Sequence, residues 1–591
     1  MKKFVGRDTA VCDSEKVKAI EEATGLLRPI AALLCARGID TPEEAKRFLH
    51  PGPEQLHDPY LLPDMAVAVE RIKQAIMRRE KMTVFCDYDA DGTCGGSALY
   101  LFLHSAGADV NIQTPNRHKE GYGLSMGAVE QIAGAGSKLI VTVDCGITNV
   151  AETELAKSLG VDVIVTDHHE CGETLPDTPY IINAKRPDSL YPYRYLAGCG
   201  VAFKLIHAMS SLSEAMRYID LVSIGTITDI VPLLGENRVI AHMGLKKLRK
   251  NASAGVAALA QAAGISLPNI SSFGIGFGLG PRINAAGRMD TAETAIEILS
   301  SQKPGAALKQ SVAQLCALND RRRKEVCEIL EGAEAMIARN GYQTNPAILL
   351  ADTGWNAGVI GIAAAKIAEK YYRPCVLFGG EDNLIGSARS IPGINIYEVL
   401  GAFQQTYEKF GGHAQAAGLT IKPERLDSLR DDVCAHILSH YDEAVFVPQK
   451  VYDMELGAGE VTRRFVEDMQ RLEPFGPENE QPLILLRNAA VTGSRLVGRD
   501  KTHLKFVLRQ GNVSLDAMNF GFSDAHALLP GHADLLCEAG IDSFSGRPQV
   551  IVREMAPRFD NDLLKGFIDD NVWRLADGLA DEVTRMSAED A

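Results

Sequence analysis

The sequence predicts an α/β chain of several domains: a parallel-sheet domain, a stretch of long helices, a smaller α/β domain and a β-barrel near the end. Three observations predict it. Apolar runs at Thr83 to Cys86, Asp109 to Gln113, Leu139 to Val143 and Val161 to Val165 alternate with stretches of helical length at Thr93 to Ser105, Ser125 to Ala133 and Val150 to Leu159. Continuous Val, Ile and Leu strands between helices mean a parallel sheet covered on both faces. Second, 591 residues are too many for one core and suggest roughly three or four domains. Third, beyond about Val447 the helical pattern gives way to short alternating strands separated by turns.

Composition narrows the class. Charged residues at 23% and hydrophobic residues at 46% are ordinary for globular protein. A net charge of −15 argues against coating nucleic acid or membrane by bulk electrostatics, although a local basic groove remains open. Twelve cysteines without CxxC pairs, and no apolar stretch after Met-Lys-Lys, suggest reduced thiols and a cytoplasmic chain. No run approaches the length of a membrane span.

Taken in order, Ile30 to Arg37 reads as a helix, and Thr41-Pro42-Glu43-Glu44 as a helix start with proline at its first position. A basic amphipathic helix follows from Met65 to Arg79. The first sheet strand then runs into Asp87-Tyr88-Asp89-Ala90-Asp91-Gly92, three carboxylates within five residues. Read alone, a solvated acidic turn explains them, since Asp-Gly is common turn chemistry. Two other strand ends carry polar clusters, however: Asp144-Cys145-Gly146 and Asp167-His168-His169-Glu170. In open parallel sheets ligands bind beyond the carboxyl ends of the strands, so the three clusters converge on one site. A helix-like stretch, Ser223 to Pro232, adds Asp229 toward its end.

Clustered carboxylates repel one another and stay ionised only if a cation takes up the charge. Carboxylates with one or two imidazoles suit Mn²⁺ or Mg²⁺. Cys86, Cys94, Cys145 and Cys171 keep zinc in view, but their spacings fit no zinc motif and burial beside strands explains them as well.

Residues 292 to 341 read as long helices, including Arg321-Arg322-Arg323-Lys324, a solvated face or the lining of a nucleic-acid path. Ala347 to Leu350 reads as a strand, Gly354 to Gly361 as a turn into a helix through Lys370, and Gly386-Ser387-Ala388-Arg389-Ser390 and Gly411-Gly412-His413 as polar loops. Glycines permit close backbone approach, and Ser with Arg is phosphate-binding chemistry, although each loop alone is an ordinary turn. Strands are expected at Ile484 to Arg487, Ala489 to Leu496, His503 to Arg509, Val513 to Asn519, Ala533 to Ala539 and Pro548 to Arg553. They suit an OB-like single-strand binder with a basic face of Arg495, Arg499, Lys501, Lys505 and Arg509, or a barrel with a plain surface. Asn561 to Arg585 reads as an amphipathic helix.

The motifs Asp-Tyr-Asp-Ala-Asp-Gly, Val-Asp144-Cys-Gly, Thr-Asp167-His168-His169 and Asp229 resemble the DHH phosphoesterase superfamily. Gly280-Pro281-Arg282-Ile283-Asn284-Ala285-Ala286-Gly287-Arg288 and Phe410-Gly411-Gly412-His413-Ala414 resemble its RecJ-like branch of single-strand-specific exonucleases. That resemblance implies an N-terminal extension at 1–60, a DHH catalytic domain at 61–290, a helical connector at 291–345, a DHH-associated domain at 346–446, an OB-like domain at 447–560 and a C-terminal helix and tail at 561–591. It implies 5′-to-3′ hydrolysis of single-stranded DNA to mononucleotides, in repair and recombination, with two ions of Mn²⁺ or Mg²⁺. By the resemblance Asp144 bridges the ions, Asp89 serves one of them, and Asp91, His168 and Asp229 serve the other. His169 faces the substrate phosphate or completes the shell, and Asp167 holds the imidazoles. Superfamily members that cleave small phosphates often carry His where this chain has Phe85, which makes Asp87 a possible substitute ligand. The resemblance further assigns Arg117, Ser387 and Arg389 to a terminal 5′-phosphate, Arg282, Asn284 and Arg288 to the following phosphates, and His413 to the scissile one. The partners it implies are single-stranded DNA and a single-strand-binding protein or helicase, for a monomer off the membrane. The alternative is a small-molecule or short-oligonucleotide phosphodiesterase with the same metal site.

Overall fold

A computed structural model describes residues 3–7, 13–116, 121–521, 531–542 and 545–558. These fall into two units, one built from His50–Pro448 with Pro474–Glu480, the other from the chain's first 49 residues with Gln449–Glu473 and the sequence from Gln481 onward. The proposed C-terminal helix, Asn561 to Arg585, lies outside the described residues.

In the larger unit five strands form a parallel sheet in the order Asp109–Gln113, Lys81–Cys86, Leu139–Val143, Asp162–Thr166, Ile181–Ile182. The first four occur where the apolar runs place them; the two-residue fifth is too short to leave a pattern. Val84, Cys86, Val141 and Val143 pack on one side with the helices Met65–Arg78, Ala90–Ser105 and Gly198–Met209. Phe85, Ile140, Val163 and Val165 pack on the other with Met126–Gly134 and Val150–Ser158. Burial on both faces is why these strands read as unbroken apolar runs, each full burial stabilising by about 1.5–3 kcal/mol. The chain steps one way from Lys81–Cys86 and crosses back to Leu139–Val143, so the switch point of the sheet lies between these two strands.

A single 35-residue helix, Ala306–Asn340, leads to the smaller domain of this unit. Its mixed sheet has the order Lys409–His413, Ala416–Ile421, Leu384–Arg389, Cys375–Gly379, Ile348–Asp352. Helix Ile360–Tyr371 covers one face together with Val326, Ile329 and Ala333 of the long helix, and Leu426–His440 packs on the other. Two expected loops are strands here. Gly386 to Arg389 belongs to Leu384–Arg389, and Gly411 to His413 to Lys409–His413; both take their ladder partners from Ala416–Ile421. Leu384, Gly386 and Ala388 are buried, whereas Ile385, Ser387 and Arg389 lie on the more open face, a period of two that glycine and serine disguise.

In the smaller unit, Lys3–Gly6 pairs in parallel with Gln449–Tyr452, beside helices Ser14–Thr24, Arg28–Ala36 and Pro42–Leu49. Ile484–Val497, His503–Gln510, Val513–Phe520, Pro548–Arg558 and His532–Ile541 form a five-stranded barrel, closed where Ile484–Val497 also pairs with His532–Ile541. The two strands expected between Ile484 and Leu496 are one, with a register shift at Asn488, whose φ is 50°. A bulge bends the strand so that it can serve two partners. Arg495 and Lys505 stand opposite each other in the ladder.

Candidate metal centre

Register brings the three acidic strand ends together. Cys86 stands opposite Val143, and the backbone N–H groups of Asp87, Asp144 and Asp167 donate to Val143, Thr166 and Ile182 respectively. Each carboxylate therefore leaves its own strand at the same edge, at the switch point. Asp89 ends the first strand's loop by capping helix Ala90–Ser105; its Oδ1 accepts from the N–H groups of Asp91 at 2.9 Å and Gly92 at 3.0 Å. Asp91, the second residue of that helix, accepts from the N–H groups of Gly198 at 2.6 Å and Cys199 at 3.0 Å, at the start of Gly198–Met209. Asp229 caps the C-terminal end of Ile219–Thr228.

Three sets of side chains have ligand atoms within 4.8 Å of one another: Asp87, Asp89 and Asp144; Asp91, His168 and Asp229; and Asp144, His168 and His169. Asp144 and His168 each belong to two sets. The His168 Nε2 atom lies 3.1 Å from Asp144 Oδ1, 3.6 Å from Asp229 Oδ2 and 4.0 Å from Asp91 Oδ2. Yet Nε2, Asp144 Oδ1 and Asp229 Oδ2 are all buried without a hydrogen-bond partner. Ligand atoms that converge without a hydrogen bond between them fit divalent cations, and the donor set of carboxylate oxygens and imidazole nitrogen suits Mn²⁺ or Mg²⁺.

The electrostatics agree. Burial, then the neighbouring Asp91, Asp89, Asp229 and Asp87, pushes the Asp144 carboxyl well above its ordinary range. Burial likewise raises Asp91 and Asp229. Asp167 goes the other way: burial would raise it, but the hydrogen bond and charge of His169, the Ile147 N–H and the His168 charge together outweigh burial and hold it low. Its oxygens also accept from the N–H groups of Ile147, His168 and His169, so it orients the histidine loop. Burial lowers His168; it would lower His169 too, but the hydrogen bond to Asp167 together with the charges of Asp167, Asp91 and Asp87 outweighs it and raises His169. Asp144 itself has a φ of 62°, a left-handed conformation rare for a residue with a side chain. Gly198 leaves the room it needs: a Cβ there would fall 2.6 Å from Asp144 Cβ and Oδ1.

The cluster opens into a cavity of about 220 Å³ lined by Asp87, Tyr88, Asp89, Tyr122, Asp144, His169, Asp229, Asn284 and Arg288. Asn284 and Arg288 thus reach the site, and Asn284 Oδ1 also accepts from the Ala90 N–H at 2.7 Å. Arg282 is not among the lining residues; its Nη1 donates to the Gly278 carbonyl. In the smaller domain Ser387 and Arg389 meet, Arg389 Nη1 lying 3.1 Å from Ser387 Oγ, beneath the first turn of Ile360–Tyr371. His413 is exposed at the end of an edge strand and does not line the cavity. Arg117 lies outside the described residues.

Tyr122 is a site residue that the sequence did not reveal. Its hydroxyl donates to the Asp144 carbonyl at 3.1 Å and lies 3.0 Å from His169 Nδ1, so it holds both in place. The available signal was Gly121-Tyr122-Gly123, an aromatic between two glycines that both take positive φ. Asn183 was also missed; fully buried, it donates to the His169 carbonyl.

Family models match the DHH family N-terminal domain at residues 81–226, the DHHA1 domain at 344–438 and the RecJ OB domain at 452–554. The single-stranded-DNA-specific exonuclease RecJ of Bacillus subtilis (strain 168) is 38% identical over 555 residues, 92% of this chain and 70% of that one. The chain belongs to the RecJ family. Among solved structures, RecJ from Thermus thermophilus in complex with Mn²⁺ is similar at a TM-score of 0.78 and 28% identity, covering 94% of this chain and 80% of that one. The same protein in complex with Mg²⁺ is similar at a TM-score of 0.73 and 25% identity, covering 94% and 78%. The acidic cluster and the metals named in those RecJ structures point to the same chemistry. Among the described residues no helix is long and apolar enough to cross a membrane.

Proposed function

We propose that this chain is a metal-dependent exonuclease that degrades single-stranded DNA from the 5′ end, releasing mononucleotides. The observation that carries the reading is the linked set of ligand groups, joined through Asp144 and His168 at the switch point of the sheet. Two divalent cations held there would supply a nucleophilic water at neutral pH and take up the charge of the leaving oxygen. Asp144, common to two of the sets, would serve both ions, Asp89 with Asp87 would hold one, and Asp91, His168 and Asp229 would hold the other. Asp167 occupies His169 Nδ1 at 2.8 Å, which leaves Nε2 as the ring nitrogen available to a phosphate oxygen. Asn284 and Arg288 orient the strand in the cavity, with Arg282 on the backbone phosphates beyond it.

The smaller domain supports the 5′ polarity. A helix N-terminus, a serine hydroxyl and a guanidinium side by side make a site for a dianionic end group. Gly361 at that helix start supports the assignment, because a Cβ there would fall 2.7 Å from Ser387 Oγ and 2.9 Å from Arg389 Nη2. The barrel, with exposed Arg495, Arg499, Lys501 and Arg509, suits a strand and is superfluous for a small phosphodiester. The enzyme would act as a cytoplasmic monomer in repair and recombination, on strands supplied by a helicase or a single-strand-binding protein.

The test is hydrolysis of 5′-phosphorylated and 5′-hydroxyl single strands and matched duplex, with Mn²⁺ or Mg²⁺, beside Asp144→Ala and Arg389→Ala. Single strands should be cut far faster than duplex, and Asp144→Ala should be inert. Arg389→Ala should lose the preference for a 5′-phosphate while binding metal as before. Equal rates on single and double strands, undiminished hydrolysis by Asp144→Ala, or metal loss in Arg389→Ala would each overturn the corresponding assignment.

A further inference from the structure

Phe273 and Phe277 are 63% and 73% exposed, although the segment that carries them is otherwise packed. Ile275 and Leu279, between and beyond them, are fully buried, so the core takes one side of this segment and leaves both phenyl rings outside. The rings lie on each other, centroids 4.5 Å apart and planes 27° apart. Ile275–Leu279 is a π-helical turn, a form that is rare and recurs at functional sites. It is held rigidly against the helix that presents Asp229: a Cβ on Gly280 would fall 2.1 Å from Thr228 Cγ2.

A second, independent feature lies beside it. Arg321 pairs with Glu325 and Lys324 with Glu328, but among the described residues no carboxylate pairs with Arg322, Arg323 or Arg282. The Nε atoms of Arg282 and Arg322 are buried without a hydrogen-bond partner. Burial first, then the Arg323 and Arg282 guanidinia, pushes Arg322 below its ordinary value. Three guanidinia gathered with no counter-charge are a site for a polyanion. Arg282 is tied by its Nη1 to the carbonyl of Gly278, the residue after Phe277. The helix it begins, Gly280–Met289, carries Asn284 and Arg288 into the metal cavity.

We propose that Phe273 and Phe277 form a base-stacking platform for the DNA strand, with Arg282, Arg322 and Arg323 on the phosphates between the stacked bases. The proposal rests on the DNA-hydrolase reading above. Seven residues of roughly helical rise separate Phe277 from Asn284, about 10 Å, which puts the platform a few nucleotides from the reacting phosphodiester. Stacking tolerates every base, as an exonuclease without sequence preference requires. A protein partner would use exposed phenyl rings equally well, but not three uncompensated guanidinia.

The experiment compares wild type with Phe273→Ala/Phe277→Ala on a long single strand and a trinucleotide. The ratio of kcat/KM on the long strand to that on the trinucleotide should fall by roughly tenfold. An abasic site stepped along the strand should weaken wild-type binding at one or two positions and leave the variant indifferent there. Phe273→Trp/Phe277→Trp should restore the ratio and show tryptophan quenching on binding. Arg322→Gln/Arg323→Gln should reduce the slope of log K against log salt by about 0.7 for each phosphate no longer neutralised. A wild type that cuts single strands, with an alanine variant of unchanged ratio and the same abasic profile, overturns the platform alone. A wild type that leaves single strands intact overturns the parent reading with it.

Discussion

The two sheets of the larger unit present their polar side chains in opposite ways. The parallel sheet buries them: Asp144 is 2% exposed and Asp167 not at all. The mixed sheet displays them, with Ser387 and Arg389 half-buried and His413 in solvent. Buried like charges constrain everything around them, since each carboxylate needs a cation, a backbone N–H or a histidine, and the backbone must bend to present it. Polar groups on an open face need only a flat support, because water shares their solvation.

The comparison can be broken most decisively at Asp144. Asn at this position should reduce hydrolysis by about three orders of magnitude or more, since it removes the charge shared by two ligand groups. The same change should raise the melting temperature of the metal-free protein by a few degrees. The folded-state pKa of Asp144 is raised, so near neutral pH the ionised carboxylate penalises the folded chain more than the unfolded one. Asn removes that penalty and tolerates the left-handed φ. The gain should shrink as pH falls and vanish below the ordinary aspartate pKa of about 4, where both states are protonated. Thermal melts in chelator across that range check it, and a variant less stable than wild type near neutrality would contradict the account.

Two glycines sharpen the contrast. Gly198→Ala places a Cβ 2.6 Å from Asp144 Cβ, an atom fixed by its backbone, so the carboxylate must move. Mn²⁺ affinity by calorimetry should drop by about 10–100-fold. In Gly361→Ala the nearest atoms are the tips of Ser387 and Arg389, which can swing aside. Its effect should be confined to a several-fold higher KM for 5′-phosphorylated ends, with metal affinity as in wild type. Equal losses of metal in both variants would mean that the two sheets do not divide the work.

The same contrast explains what the sequence made legible. Strands buried on both faces appear as apolar runs, and carboxylates crowded at their ends have little reason to be there other than a cation, so sheet and cluster could be read directly. Leu384–Arg389 could not be, because Gly386 and Ser387 mask its alternation and its strand character comes from pairing with Ala416–Ile421 on one side and Cys375–Gly379 on the other. Ile484–Val497 read as two strands because Asn488 carries turn chemistry at a bulge. Tyr122 escaped because its role is fixed by Asp144 and His169, which reach it only through the fold.

The smallest effect is predicted on the displayed face. Gly411, Gly418 and Ser387 stand opposite one another across three strands, a bare row beside Arg389. A Cβ on Gly418 would find only the Gly386 carbonyl, at 4.0 Å. Gly418→Ala should therefore change stability by no more than about 0.5 kcal/mol, as surface substitutions do. If the DNA backbone lies along this row, the added methyl group still stands in its way, and KM for 5′-phosphorylated strands should rise several-fold at an unchanged melting temperature. A variant with wild-type KM would move the backbone off this row and leave Arg389 acting from its edge; a lowered melting temperature would mean that the row is packed, and that the contrast between a buried and a displayed site fails there.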